Sequence, residues 1–189
     1  MSGATDKRAA SVSLALVGFM GAGKSAVGRL AATRLSLPFV DCDRLIEQRH
    51  GGVADIFATH GEPAFRRLER DVVCTALADA STRPSVVALG GGAVMSGDVR
   101  EALRHLPHVI WLTAPADVLW ERVRRQGASR RPLATDEQGF RRLLEERSAL
   151  YASVATDAIA NDGSATSAAI ADGIAHLATD PTVSAGPRP

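Results

Sequence analysis

The sequence predicts an α/β fold built on a mostly parallel sheet. Two observations predict it. Short apolar runs alternate with longer stretches of helical period along the whole chain. The first apolar run, Ser13–Val17, passes through a cluster of glycines directly into a helical pattern. With 189 residues, 46% hydrophobic and 23% charged, the chain is long enough for one compact domain and short for two.

The elements follow in order. Ser13–Val17 reads as a buried strand ending at Gly18, and Lys24–Leu35 as a helix with Val27, Leu30, Ala31 and Leu35 on one face. Pro38–Val40 is a second short strand ending at Asp41. Arg44–His50 and Val53–His60 are short helices, and Glu62–Ala80 is a longer one with Phe65, Leu68, Val72 and Leu77 inward. Ser85–Leu89 is a third strand running into Gly90–Gly92. Val99–Leu106 is helical, His108–Leu112 a fourth strand, and Pro115–Arg125 a helix with proline in its first turn. Gln126–Asp136 is polar, basic and aperiodic, and reads as a mobile loop. Phe140–Tyr151 is helical, Ala158–Ala160 a fifth strand and Ala168–Leu177 the last helix. The domain is expected over residues 12–178, between flexible tails at 1–11 and 179–189.

Charge and cysteine content exclude several function classes. The net charge of +1 gives no global field toward nucleic acid or a membrane. The basic run Arg122–Arg131 lacks interleaved aromatics, which argues against a nucleic-acid patch. Cys42 and Cys74 suit apolar positions in a reduced protein better than a disulfide. The only apolar run near the N-terminus spans about six residues, too short for a signal core or a membrane span, so a cytoplasmic location is expected. His105 and His108 flank Pro107 and read as loop residues; Trp111 and Trp120 read as core.

The chemistry starts at Gly18-Phe19-Met20-Gly21-Ala22-Gly23-Lys24-Ser25, which fits G-x-x-x-x-G-K-[ST]. Glycines let backbone N–H groups curl around a phosphate chain, and the following helix points its positive end at the same oxygens. Chance produces the pattern at roughly one position in 30,000 with average residue usage. Here it also lies between a strand and a helix and holds one of only two lysines, Lys7 and Lys24. Gly21, Ala22, Gly23, Lys24, Ser25 and Ala26 are therefore expected to bind ATP, with Lys24 on the β- and γ-phosphates and Ser25 on Mg²⁺. A regulatory GTPase would need an Asn-Lys-x-Asp motif, and no lysine remains to make one.

Further motifs follow at set places: Asp41-Cys42-Asp43 ending the second strand, Phe65-Arg66-Arg67-Leu68-Glu69 on the long helix, and Leu89-Gly90-Gly91-Gly92-Ala93 ending the third strand. Arg131-Pro132-Leu133 lies in the basic loop, and Glu146-Arg147-Ser148-Ala149-Leu150-Tyr151 on the helix after it. From Leu14 to Leu177 this ordered set resembles the shikimate kinase family. The resemblance implies a P-loop kinase with five parallel strands in the order 2-3-1-4-5, a mobile lid at about 126–136, and transfer of phosphate from ATP to the 3-hydroxyl of shikimate. Shikimate is a cyclohexene carboxylate with three hydroxyls, so its recognition needs cations for the carboxylate and an acceptor for the hydroxyls.

The resemblance assigns the carboxylate to Arg66 and Arg147 and the hydroxyls to Asp43, which would also orient or deprotonate the attacking oxygen. It makes Gly90, Gly91 and Gly92 the close backbone contacts, with Gly91 central, and puts Asp41 beside Mg²⁺. Arg131 becomes the lid arginine over the transferring phosphoryl group, and Arg125 an arginine near the adenine. Thr166 stands where the family often has proline. Glu69 is expected to orient Arg66; Arg67 and Arg70 read as a solvated face. Asp41 and Asp43 could alternatively cap the helix that follows them. The implied partners are ATP and shikimate only, with no nucleic acid, no membrane and a monomeric protein. Gluconate kinases share the loop and lid, but the Arg66 segment and the triple glycine argue against them. A non-catalytic nucleotide-binding module would be marked by loss of acidic or arginine site residues, and none is missing.

Overall fold

The computed structural model of the chain describes residues 12–125 and 136–180. Five strands form one parallel sheet: β1 (Leu14–Val17), β2 (Phe39–Asp41), β3 (Val86–Ala88), β4 (His108–Thr113) and β5 (Asp157–Ala160), in the order β2-β3-β1-β4-β5. The expected order is thus observed. β1 lies at the centre and every one of its residues is buried, as a strand covered on both faces requires. The register aligns Asp41 with Ala88 and Ala88 with Leu16. The carboxyl ends of β1, β2 and β3 therefore open on one edge of the sheet, the place where such folds hold ligands.

The helices are α1 (Lys24–Leu35), α2 (Cys42–His50), α3 (Val53–Thr82), α4 (Gly97–Arg104), α5 (Ala116–Arg125), α6 (Glu137–Val154) and α7 (Ser167–Thr179). A 3₁₀ turn at Ala93–Met95 follows the triple glycine. α2 begins two residues earlier than periodicity suggested, because Asp41 caps it: its Oδ1 accepts from Arg44 N at 3.4 Å. The two helices read at Val53–His60 and Glu62–Ala80 meet end to end at Gly61, whose φ of 75° breaks the helical path. α6 likewise starts early, at Glu137, where Asp136 accepts from Gly139 N at 2.7 Å.

Two apolar clusters hold the domain. The larger joins the sheet to α1, α4, α5, α6 and α7. The smaller, Ile46, Ile56, Phe65 and Val72, joins α2 to α3. The segments carrying Asp43, Arg66 and Glu69 rest on this smaller cluster, while Cys42 of α2 and Val73, Ala76, Leu77 and Ala80 of α3 belong to the main one. Trp111 and Trp120 pack against the main cluster, as expected. His108 corrects the loop reading: it is the first residue of β4, 6% exposed, because the strand begins immediately after Pro107. Burial lowers its pKa. Cys42 and Cys74 are both free thiols. No described helix is long and apolar enough to cross a membrane.

Candidate active site

The loop Gly18–Gly23 turns between β1 and α1 with positive φ at Gly18 (141°), Gly21 (83°) and Gly23 (87°), values that a side chain would strain. α1 has no side-chain cap at its start, so its first N–H groups face the loop's concavity. Ser25 and Ala26 are exposed in that first turn. Lys24 Nζ lies back on the loop, donating to Gly18 O at 2.7 Å and Phe19 O at 3.1 Å.

The acceptor side is assembled around the triple glycine. The need for glycine there is one of space. A Cβ on Gly90 would sit 2.6 Å from both Asp43 Oδ1 and Glu69 Oε1, and one on Gly92 would overlap the Arg66 guanidinium. A Cβ on Gly91 would approach Met20 N of the phosphate loop to 3.3 Å. Asp43, Glu69, Arg66 and the loop therefore converge on one short backbone segment. Arg66 is held by two acids of its own helix, Nη1 to Glu69 Oε2 at 2.5 Å and Nη2 to Glu62 Oε1 at 3.1 Å. Glu69 is thus the orienting partner expected for Arg66. Arg70 pairs with Asp71 at 2.8 Å on the solvated face, and Arg67 is exposed.

Arg147 enters from α6. It is 3% exposed, and its guanidinium carbon lies 5.6 Å from the centre of the Phe19 ring. Nη1 reaches Gly91 O at 3.5 Å, a long contact, and Nε has no hydrogen-bond partner. Tyr151, one turn on, donates its hydroxyl to the same Gly91 oxygen at 2.5 Å. A buried guanidinium with an unspent donor is costly, and burial lowers the Arg147 pKa, with Arg66 pushing the same way against Tyr151 and Glu69. Arg66 behaves oppositely: burial lowers its pKa, but Glu69 and Glu62 outweigh it and the net shift is upward. For Glu69, burial raises the pKa; Arg66 opposes this and Asp43 adds to it. The site holds two guanidiniums, the buried acid Glu69 and the exposed acid Asp43, with Nε of Arg147 unpartnered.

The described residues bring together the loop, Asp43, Arg66, the three glycines and Arg147, while Asp41 is seen as the cap of α2. Arg125 ends α5, 75% exposed and paired with Glu121. Arg131 and the expected lid, except Asp136, lie outside the described residues. Thr166 caps α7, its hydroxyl accepting from Ala169 N at 3.2 Å. Sequence reasoning missed Arg122 and Asn161, which bind loop carbonyls directly. Neither has a local signal: Arg122 looked like one more arginine of a basic run. Tyr151 was visible only as the end of the Arg147 motif, four residues on and hence on the same helix face.

A parallel sheet with a phosphate loop after its central strand and an acid-and-arginine pocket alongside defines a P-loop kinase. The family model for shikimate kinase matches residues 20–178. A shikimate kinase of Symbiobacterium thermophilum is 49% identical over 155 residues, covering 80% of this chain and 87% of its own. That of Brucella canis is 45% identical over 141 residues, 72% of this chain and 68% of its own. Among solved structures, the shikimate kinase of Acinetobacter baumannii in complex with shikimate superposes with a TM-score of 0.78 at 35% identity, covering 88% and 92% of the two chains. A gluconokinase from Sinorhizobium meliloti shares the fold, with a TM-score of 0.57 at 21% identity. The chain belongs to the shikimate kinase family.

Proposed function

We propose that this protein transfers the γ-phosphoryl group of ATP to the 3-hydroxyl of shikimate, giving shikimate 3-phosphate and ADP. The observation that carries the reading is the pair Arg66 and Arg147 flanking the triple glycine with Asp43, next to the phosphate loop. Two guanidiniums suit one carboxylate, and Arg147 retains an unspent N–H for it. Asp43 lies in the first turn of α2, its Oδ1 directed at Gly90 on the acceptor side of the loop.

In the reaction the 3-hydroxyl oxygen attacks the γ-phosphorus as the bond to the β–γ bridging oxygen breaks. Asp43 orients that hydroxyl and takes its proton; ADP leaves with the bridging oxygen. Lys24 swings from the Gly18 and Phe19 carbonyls to the phosphates. Ser25, and Asp41 through water, would hold Mg²⁺, which neutralises phosphate charge. Ser25 offers a hydroxyl and Asp41 a carboxylate, hard oxygen donors of the kind Mg²⁺ takes together with phosphate oxygens and water. By resemblance, Arg131 supplies the cation over the transferring group and Arg125 lies near the adenine. The protein is proposed to act as a cytoplasmic monomer.

A coupled ADP-release assay with shikimate, gluconate and nucleoside monophosphates side by side tests the reading. Turnover with shikimate at least about 100-fold above the other acceptors in kcat/KM is expected; comparable or better turnover of gluconate would overturn it. Asp43→Asn should lower kcat by about 10²-fold or more while the KM for ATP stays within about twofold, since the lost acceptor matters most as the proton leaves. Unchanged shikimate turnover in that variant would leave Asp43 with no part in proton transfer.

A further inference from the structure

The concave side of a phosphate loop binds anions through N–H groups, so its carbonyls point outward and need donors of their own. Here those donors come from distant parts of the chain. Arg122, in the last turn of α5, donates through Nη1 to Gly21 O at 3.3 Å and to Asn161 O at 2.7 Å. Asn161, the residue after β5, donates through Nδ2 to Ala22 O at 2.8 Å. It is 6% exposed, and its own N–H extends the β4–β5 pairing by donating to Thr113 O at 2.7 Å. The fit is close. A Cβ on Gly23 would stand 2.5 Å from Asn161 Nδ2, and one on Gly21 would stand 2.8 Å from Leu119 O of α5.

We infer that Arg122 and Asn161 form a clamp on the outer face of the loop and act as positioning residues for the nucleotide. A trans peptide unit is planar, with its C=O and N–H pointing oppositely. Anchoring the carbonyls of Gly21 and Ala22 therefore sets the directions of the N–H groups of Ala22 and Gly23. The Ala22 N–H closes the turn onto Phe19 O at 3.2 Å; the Gly23 N–H is left facing the side opposite Asn161. Lys24, which also donates to loop carbonyls, must give those contacts up to reach phosphate. Arg122 and Asn161 keep theirs, so the loop's shape does not collapse when Lys24 turns. The clamp ties the loop to the sheet through β5, and neither residue is asked to touch the transferred group.

This inference rests on the loop being the ATP site, and its test needs no acceptor. ADP affinity with Mg²⁺ is measured by calorimetry for Arg122→Ala, Arg122→Lys, Asn161→Ala and Asn161→Asp, alongside the KM values for ATP and shikimate. Arg122→Ala and Asn161→Ala should each raise the ADP Kd and the KM for ATP by about tenfold, as expected for one or two oriented hydrogen bonds. The KM for shikimate should stay within about twofold. Asn161→Asp, equal in size but facing Ala22 O with a carboxylate, should lose the most, and Arg122→Lys should recover part of the loss. The double alanine variant should lose clearly less than the product of the single losses, because both residues hold one loop. Unchanged ADP affinity in the folded variants, or equal weakening toward ADP and shikimate, would overturn the clamp. A wild-type protein that binds ADP but ignores shikimate would count against the proposed acceptor and leave the clamp's result readable.

Discussion

Lys24→Met is expected to leave less than about a tenth of the wild-type kcat, and in practice no measurable transfer, while the protein stays folded. The reason starts from composition: in a chain whose basic residues are nearly all arginine, one lysine stands in the phosphate loop. A compact ammonium can follow the β- and γ-oxygens where a rigid guanidinium fork cannot. Methionine keeps the stem and removes the charge. In the resting protein it removes, among other contacts, the donation to Gly18 O and Phe19 O at a half-buried position. Hydrogen bonds from a charged donor are worth about 1.5–3 kcal/mol each, so Tm should fall, and kcat is measured well below the variant's own melting range. On the proposed reading the site also loses the cation that reaches the phosphates, which is worth several kcal/mol. Steady-state kinetics and thermal melts on the same preparation check both halves. A kcat above a tenth of wild type would put the phosphate contact elsewhere.

The phosphate side of this site was legible in the sequence because it is local. Strand, glycines, lysine and helix are contiguous, and α1 occupies Lys24–Leu35 as periodicity alone indicates. The strand order was legible only through resemblance, since apolar runs do not state their neighbours. Helix starts were read late wherever an acidic cap did the work, at Asp41 for α2 and Asp136 for α6, because a cap lies outside the apolar period. That bears on function: Asp41 serves the helix as its cap, whereas Asp43 sits inside the first turn beside Gly90. The glycines were legible as a cluster, but not why they are glycines. That reason lies in the carboxylates and guanidinium that crowd them from α2 and α3. The loop contacts of Arg122 and Asn161 were not legible, although the segment beginning at Asn161 was expected near the adenine. Their loop contacts span 101 and 139 positions, and nothing local separates Arg122 from its basic neighbours.

Arg147→Met should move stability and function in opposite directions. In the resting protein the guanidinium is almost fully buried, Nε is unpartnered and Nη1 has only a long contact to Gly91 O. Burial disfavours its charge, as the lowered pKa records, and the Phe19 face returns little of that cost. Replacing a buried ion pair by apolar side chains is often neutral or stabilising by about 1–4 kcal/mol, and Arg147, with Nε unpartnered, has little pairing to lose. The substitution removes the Arg147 hydrogen bond to the Tyr151 side chain and one cation facing Glu69, but Tyr151 keeps its bond to Gly91 O and Glu69 keeps Arg66. Tm should therefore rise by at least about 2 °C. On the proposed reading a substrate carboxylate completes that unspent donor, and losing one partner of a buried charge pair costs about 2–5 kcal/mol. The KM for shikimate should then rise by about 30-fold or more, with the KM for ATP within about twofold. A variant with lowered Tm and unchanged KM for shikimate would make Arg147 a structural residue, and would move the carboxylate to Arg66 alone.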